Sequence, residues 1–244
     1  MSAETAEVTF TRNGALRGVS RGAGFAFGVL VYGIAFGVVA DQLNLSTMQA
    51  VLFSALVFSG SAQLAAIGVM SAGLSGIATL AWTVLVLILV INARYVLFSA
   101  TMRPWLSQIS PWKAYATLFF LGDGSWMLSQ RAYEQGERDA GYVFGASVVS
   151  CFTWLIGTFI GSVAGGLAPD PRVLGFDFLL AAFSIAMMLS MLRGRTDFVV
   201  LLVAMGVAAL LFWLGQPALA PVIAGFAGGA VAYFRFSGDA HGLD

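Results

Sequence analysis

The stretch Phe58-Ser-Gly-Ser-Ala-Gln63 interrupts an apolar run that extends from Met48 to Met70. A run of this length can span a bilayer, which takes about 20 apolar residues. A helix that contacts only lipid has no use for two serines, a glycine and a glutamine at its midpoint, because unpaired polar groups in hydrocarbon cost several kcal/mol each. The interruption therefore predicts contact with other helices or with a water-filled cavity, as in a permeation or substrate site.

The composition indicates an integral membrane protein. Of the 244 residues, 59% are hydrophobic and 10% are charged, with a mean hydropathy of +0.88, whereas soluble domains are about 25% charged. The 12 basic and 12 acidic residues balance, so nothing indicates a nucleic-acid partner. With Cys151 as the only cysteine and His241 as the only histidine, we expect no internal disulfide, no metal site, no cofactor and no enzyme activity. Transport, channel activity and membrane scaffolding remain as the possible classes of function.

Turn residues divide the chain into apolar segments, and no linker between them is long enough for a soluble domain. We expect an all-α polytopic membrane protein with six to eight transmembrane helices, one or more of them broken or re-entrant. Residues 1–21 are predicted to form a cytoplasmic N-terminal segment, 22–234 a single transmembrane permease domain, and 235–244 a polar tail. The apolar segments lie at 22–40, 48–70, 74–98, 114–130, 142–166, 175–192, 197–214 and 217–234.

An internal repeat suggests a duplication. Gly33-Ile-Ala-Phe-Gly37 matches Gly157-Thr-Phe-Ile-Gly161 at an offset of 124 residues, close to half of the chain. The predicted halves cover roughly 22–120 and 142–234, and transporters built in this way place their substrate site between the halves. The alternative is that small residues spaced by four recur in any tightly packed membrane helix. In either case, the four glycines at the ends of these motifs are predicted to pack helices together.

Lys and Arg in short loops indicate the orientation, because they accumulate on the cytoplasmic side. If all eight segments cross, Arg103 and Lys113 lie outside, against this rule. If 48–70 re-enters on its own side and 114–130 does not cross, nearly all basic residues are cytoplasmic. Both arrangements place both termini in the cytoplasm. The charges favour the second, whereas the apolarity of 114–121 favours the first.

Four residues of the interrupted run are the first candidates for a substrate path: Ser59, Gly60, Ser61 and Gln63. Ser59 and Gln63 share one face if the helix continues. A break at Gly60 would expose backbone groups that can bind a zwitterionic ligand, as in the discontinuous helices of transporters. The alternative is helix packing, with the serines bonded to carbonyls of their own helix.

Asn92 and Arg94 end the third apolar run and are further candidates. An arginine after about 20 apolar residues is commonly an anchor that extends to the membrane surface. However, Val96-Leu97-Phe98 follows, so apolar sequence flanks Arg94 on both sides. The alternative is an arginine that faces the cavity and pairs with an acid or a substrate carboxylate.

Asp123 is the only acid inside the segment 114–130. Acids within the membrane are commonly functional, often as proton carriers, so Asp123 is the candidate for proton coupling. The alternative is that 114–130 lies at the membrane surface, where Asp123 is solvated.

Together, these motifs resemble the AzlC family, the large permease subunit of bacterial branched-chain amino acid exporters. The resemblance extends from Gly24 to about Tyr233. Two positions depart from the family pattern: Tyr95 replaces a common histidine, and Gly124 replaces the second acid of an Asp-Glu pair. The motifs that carry the resemblance are Gly33-Ile-Ala-Phe-Gly37, Phe58-Ser-Gly-Ser-Ala-Gln63, Asn92-Ala-Arg-Tyr95, Asp123 and Phe176-Asp-Phe-Leu-Leu-Ala-Ala-Phe183.

The resemblance implies export of valine, leucine, isoleucine and, as a further candidate, methionine from the cytoplasm across the bacterial inner membrane. It also implies a small AzlD-type membrane subunit as partner, with proton coupling as the expected energy source. Two alternatives remain open: a passive channel for small amphipathic solutes, or a scaffold subunit of another permease. An intramembrane aspartyl protease would need two carboxylates at one site, and no second acid at the depth of Asp123 is evident.

Overall fold

A computed structural model describes residues 7–71, 76–165, 194–215 and 220–239, together with 185, 189 and 192. The described residues form helices and no strand. Among these described residues, three helical segments are long and apolar enough to span a membrane: Arg12–Gln42, Ile77–Thr101 and Ala140–Gly165. The prediction of an all-α membrane protein is therefore confirmed. The helices are α1 (Arg12–Gln42), α2 (Thr47–Val57), α3 (Gly60–Ser71), α4 (Ile77–Asn92), α5 (Arg94–Thr101), α6 (Arg103–Leu106), α7 (Pro111–Phe119), α8 (Asp123–Glu134), α9 (Ala140–Gly165), α10 (Arg195–Trp213) and α11 (Ala220–Asp239).

Helix α1 begins ten residues before the apolar run at 22–40. Thr11 caps it, because its side chain accepts a hydrogen bond from the amide of Gly14. The predicted cytoplasmic segment 1–21 is thus helical from Arg12 onwards. Hydropathy does not reveal residues 12–21 as part of the helix, because polar residues alternate with glycines there. The buried glycines Gly14 and Gly18 continue the packed face of α1.

Helices α1 and α9 pack side by side and run parallel, because residue numbers rise together along their contact. At Gly33, an added Cβ would lie 2.8 Å from the carbonyl oxygen of Trp154 and 3.3 Å from the Cα of Gly157. At Gly37 it would lie 2.9 Å from the Cα of Gly161. Close backbone approach at small residues is typical of packed membrane helices, and any larger side chain at these positions would separate the pair.

The two matched motifs therefore face each other at the offset of 124 residues found in the sequence. Because α1 and α9 run in the same direction, a duplication would relate them by an axis along the helices, not by an inverted repeat. The duplication itself stays a prediction, since most of the second-half segment 175–192 lies outside the described residues.

Helices α2 and α3 form a hairpin instead of one continuous span. In a straight helix, residues nine apart are separated by about 13 Å, yet Gln63 donates a hydrogen bond from Nε2 to Ser54 Oγ at 2.9 Å. Further from the tip, Ala50 and Ile67 belong to one buried cluster with Ala40 of α1. The base of the hairpin thus lies near the C-terminal end of α1, and Gly60 at its tip contacts Tyr32.

Helices α7 and α8 form a second hairpin that enters from the other end of α1. At its base, the ammonium of Lys113 lies 4.8 Å from the ring centre of Phe10, and Glu137 pairs with Arg17. At its tip, a Cβ added to Gly124 would lie 2.9 Å from the ring of Phe25. Lys113 and Glu137 thus lie near the start of α1, while the tip lies about 20 Å further along it.

Between the two hairpins, α4 and α5 form one span with a break at Ala93. This span leads from the base of the first hairpin to a buried cluster that contains Met102 and Trp105 together with Val8 and Tyr142. Segments 48–70 and 114–130 therefore both turn back, as in the second of the two arrangements predicted from charge. Within 114–121 only Thr117 and Leu121 are buried, whereas Tyr115 and Phe119 are exposed, so burial inside the protein does not account for the apolarity of this segment.

The second compact unit covers residues 184–244 and contains α10 and α11. These helices contact each other where a Cβ added to Gly228 would lie 3.3 Å from Val200 Cγ1. Helix α11 extends to Asp239, into the predicted polar tail. The single permease domain over 22–234 stays a prediction.

Candidate functional site

The tip of the first hairpin is formed by Phe58 and Ser59, which lie between α2 and α3. Gly60 starts α3 at a point where only a small residue fits: an added Cβ would lie 2.8 Å from the ring of Tyr32 and 3.0 Å from that of Trp154. This close approach holds the break against α1 and α9. Ser59 is buried, and its hydroxyl points to the neighbouring span.

Arg94 connects the two hairpin tips. Its Nη2 donates to Ser59 Oγ at 3.2 Å and to Asp123 Oδ2 at 2.8 Å. The next residue, Tyr95, donates from its hydroxyl to the carbonyl oxygen of Phe58 at 3.3 Å. The break at Ala93 thus presents two consecutive side chains to the tip of the first hairpin. The guanidinium of Arg94 thus pairs with an acid at the place where the two hairpin tips meet, which we call the junction.

Asp123 is the first residue of α8 and lies at the tip of the second hairpin. The helix begins there because Ser125 Oγ accepts a hydrogen bond from the amide of Gly122 at 2.9 Å and so caps the turn. The two tips also touch directly, since a Cβ added to Gly122 would lie 3.2 Å from the ring of Phe58. The side chains of Arg94 and Asp123 keep 30% and 31% exposure, so the pair remains reachable from solvent or by a ligand.

Two atoms at this junction have hydrogen-bonding capacity that no described residue uses. They are Asn92 Oδ1, an acceptor, and Arg94 Nε, a donor. Both atoms are buried, and leaving such groups without a partner costs about 1–3 kcal/mol each. The two atoms belong to residues on either side of Ala93, and each is open to a group of the matching kind.

Gln63 and Ser61 lie apart from this junction. Gln63 is fully buried, and its amide is used at both ends: Nε2 donates to Ser54, and Oε1 accepts from Trp154 Nε1 at 3.2 Å. Ser54 in turn lies 2.9 Å from Thr158 Oγ1 of α9. This network fixes the hairpin to α9. Ser61 is exposed.

The predicted residues thus separate into two groups. The structure brings Ser59, Arg94 and Asp123 together, and Gly60 supports the tip. Asn92 lies two residues before Arg94 in the chain, and no described residue bonds its Oδ1. The prediction from sequence missed Tyr95 as a contact of the tip and missed Ser54 and Thr158 as partners of Gln63. Ser54 and Thr158 could have been found in the sequence as polar residues within apolar runs.

Comparisons with known proteins cover this site. A family model described as AzlC protein matches residues 24–168, which include both hairpins and Arg94. A Bacillus subtilis protein described as branched-chain amino acid transport protein AzlC is 23% identical over 199 residues, or 80% of this chain and 76% of the relative. An uncharacterized membrane protein of Helicobacter pylori is 23% identical over 172 residues, 70% of this chain and 72% of the relative. An uncharacterized membrane protein of Archaeoglobus fulgidus is 28% identical over 162 residues, 66% of this chain and 68% of the relative. No solved structure matches the chain.

Proposed function

This chain belongs to the AzlC family, and from that premise we propose that it is a permease that exports branched-chain amino acids across the bacterial inner membrane. Membership supports a role in membrane transport. Valine, leucine and isoleucine are the proposed substrates, with methionine as a further candidate. The proposal includes coupling to protons and a small AzlD-type membrane subunit as partner.

The observation that carries the proposal is Arg94, which lies where the two hairpin tips meet and has a buried Nε donor that no described residue uses. An α-amino acid carries a carboxylate, which accepts hydrogen bonds, and an ammonium, which donates them. Arg94 Nε offers a donor for the first, and Asn92 Oδ1 offers an acceptor for the second. A carboxylate bound at the hairpin tips would give Arg94 Nε an acceptor.

Helix ends add to the preference for a carboxylate. Helices α3 and α8 both begin at the junction, at Gly60 and Asp123. The N-terminus of a helix carries a partial positive charge that stabilises an anion by about 0.3–1 kcal/mol, and more where it is partly buried. Arg94 adds a full charge, and Asp123 balances it in the absence of substrate. A substrate carboxylate would compete with Asp123 for the guanidinium.

Aromatic side chains around the junction favour an apolar substrate side chain. Phe58 lies at one tip, Phe25 packs against the other beside Gly124, and Tyr95 lies under the guanidinium, with Arg94 Cζ 5.4 Å from its ring centre. Burying a Val, Leu or Ile side chain in such surroundings contributes roughly 1.5–3 kcal/mol. The surroundings offer a polar amino acid side chain no comparable gain.

The distribution of basic residues supports a cytoplasmic location for the end at which α1 begins. Arg12, Arg17 and Arg21 lie in the first turns of α1. Arg103 and Lys113 follow the C-terminal end of the α4–α5 span. Positive residues accumulate on the cytoplasmic side. We therefore propose that the α7–α8 hairpin enters from the cytoplasm and the α2–α3 hairpin from the outside, with the N-terminus cytoplasmic. The location of the C-terminus in the cytoplasm is part of the same proposal.

The test is transport by purified protein in proteoliposomes, with and without a co-expressed small membrane subunit. Preloaded radiolabelled valine, leucine, isoleucine, methionine, serine and glutamate would be compared, with an imposed pH gradient or none. We expect gradient-dependent movement of the aliphatic amino acids. Flux that stays independent of the gradient would instead support a channel, and no flux under any condition with the small subunit present would support a scaffold.

A further inference from the structure

An open cavity of about 900 Å³ lies away from the candidate site, near the start of α1. The first turns of α1, the C-terminal end of α8 and the start of α9 surround it. It therefore lies at the base of the α7–α8 hairpin, where the hairpin meets the α1–α9 pair. The proposed substrate site uses none of the residues that line the cavity: Leu16, Arg17, Ser20, Arg21, Leu128, Arg131, Ala132, Gln135, Gly136, Glu137 and Tyr142.

The cavity carries an excess of positive charge. Arg17, Arg21 and Arg131 line it, against a single acid, Glu137. Arg17 pairs with Glu137 at 3.0 Å and with Asp139, outside the lining, at 3.7 Å, and it keeps 51% exposure of its side chain. Arg21 and Arg131 are both exposed. Guanidinium groups bind phosphate oxygens with several hydrogen bonds at once, so a phosphate group matches this cluster in charge and in hydrogen-bonding chemistry.

Apolar residues continue from the cavity along the outer face of α1. Leu16 and Ser20 line the cavity, and Gly24 and Phe27 follow on the same face at spacings of four and three residues. An added Cβ at Gly24 would meet nothing within 4 Å, and Phe27 is 74% exposed. A soluble anion would gain nothing from this stripe, whereas an acyl chain could lie along it.

We propose that the cavity binds the phosphate-bearing headgroup of an anionic phospholipid, with an acyl chain against the stripe of Leu16, Gly24 and Phe27. Basic pockets between transmembrane helices are known to take such headgroups. Arg17 and Arg21 belong to α1, and Arg131 belongs to α8. A bound phosphate therefore connects the hairpin to the α1–α9 pair and stabilises that contact. This inference does not rest on the identity of the transported substrate.

The experiment is a thermal unfolding series on the full-length protein in neutral detergent. Cardiolipin, phosphatidylglycerol, phosphatidylcholine and inorganic phosphate would be titrated separately. We expect the anionic lipids to raise Tm in a saturable way that weakens with salt, while phosphatidylcholine and inorganic phosphate leave it unchanged. An equal rise with phosphatidylcholine overturns the proposal. An equal rise with inorganic phosphate also overturns it, because the site then binds a soluble anion.

Variants locate the effect. Each arginine near an anionic lipid surface contributes about 1 kcal/mol, so Arg21→Gln with Arg131→Gln should weaken the apparent lipid affinity about 30-fold. Arg12→Gln with Arg103→Gln is the matched control, because both arginines are exposed and neither lines the cavity. Equal losses in the two double variants would overturn the proposal. If the first variant does not fold, native mass spectrometry of the unaltered protein decides: no retained anionic lipid at low salt contradicts the site.

Discussion

Gln63 and Ser54 lie nine residues apart in the chain and are joined by a hydrogen bond of 2.9 Å. That bond is possible only because α2 and α3 turn back on each other at Ser59. The same amide accepts from Trp154, and Ser54 continues the network to Thr158. The polar residues of the interrupted run therefore have two uses: Gln63 fixes the hairpin, and Ser59 faces Arg94.

We predict that Gln63→Ala destabilises the protein, because it leaves buried Ser54 and Trp154 each without a partner. Such losses cost about 1–3 kcal/mol, which would lower the thermal midpoint by several degrees in detergent. Ser61→Ala is the matched control, since Ser61 is exposed on the same helical turn. An unchanged midpoint in Gln63→Ala with lost flux would instead return Gln63 to the substrate path.

We predict that Gly18→Ala disrupts the contact between α1 and α9, whereas Gly24→Ala is tolerated. An added Cβ at Gly18 would overlap the carbonyl oxygen of Tyr142, and one at Gly24 has open space. Overpacking of this kind costs roughly 1–3 kcal/mol, while Ala favours a helix over Gly by up to about 1 kcal/mol. Folded yield and thermal midpoint measure both effects. Similar midpoints in the two variants would contradict the parallel packing.

Sequence patterns predicted the class of fold well and the path of the chain only in part. Composition and the spacing of Gly33 and Gly37 were enough to indicate a helical membrane protein with tight packing. They could not decide whether 114–130 crosses the membrane, because an apolar segment has the same sequence pattern whether lipid or protein covers it. Charge in the loops favoured the arrangement in which both segments turn back, as they do in the structure; the side of the membrane on which each hairpin begins stays a prediction.

The candidate site shows the same limit. Arg94 and Asp123 were each chosen for being charged within apolar sequence, and the structure pairs them. Their pairing could not be predicted, since it depends on two hairpins that meet from opposite ends. Thr158 was missed because a single threonine in an apolar helix commonly bonds to its own backbone, and only the fold brings it to Ser54.

A third prediction concerns pH and the start of the α1–α9 pair. Burial alone would raise the pKa of Asp139, but hydrogen bonds from the Thr11 side chain and amide and from the Gly141 amide, with the charge of Arg17, lower it below its usual value. A lowered folded-state pKa stabilises the protein above the unfolded value of about 3.9, and this stability is lost as pH falls through the folded pKa.

Asp139→Asn should therefore lose about 1.5–3 kcal/mol at neutral pH, and the difference from the parent should shrink at acid pH. Thermal midpoints in detergent from pH 7 to pH 3 test this. Glu7→Gln is the control, because Glu7 is exposed just before α1. A difference between Asp139→Asn and the parent that stays constant down to pH 3 would show that the carboxylate charge contributes nothing.

We predict that Arg94→Lys weakens substrate binding by about tenfold or more, equivalent to about 1.4 kcal/mol. Lysine keeps the charge but lacks the planar fork that can hold Asp123 or a carboxylate through several donors. Initial rates at a series of valine concentrations separate affinity from turnover. Arg103→Lys is the control, because Arg103 is exposed in α6. An apparent affinity that matches the parent would remove Arg94 from the proposed carboxylate site.

The last prediction concerns proton coupling through Asp123. Protonation would remove the charge that holds Asp123 to Arg94 at 2.8 Å, and would free the guanidinium for a substrate carboxylate. Asp123→Asn imitates the protonated form in charge and nearly in shape. We expect the variant to bind and exchange substrate, since Arg94 stays available, but to lose accumulation driven by a pH gradient. Exchange at equal concentrations and gradient-driven flux would be measured in the same proteoliposomes, beside Asp197→Asn as a control in α10. Gradient-driven accumulation equal to that of the parent would mean that the proton moves elsewhere, and the Arg94–Asp123 pair would then serve only to hold the two hairpin tips together.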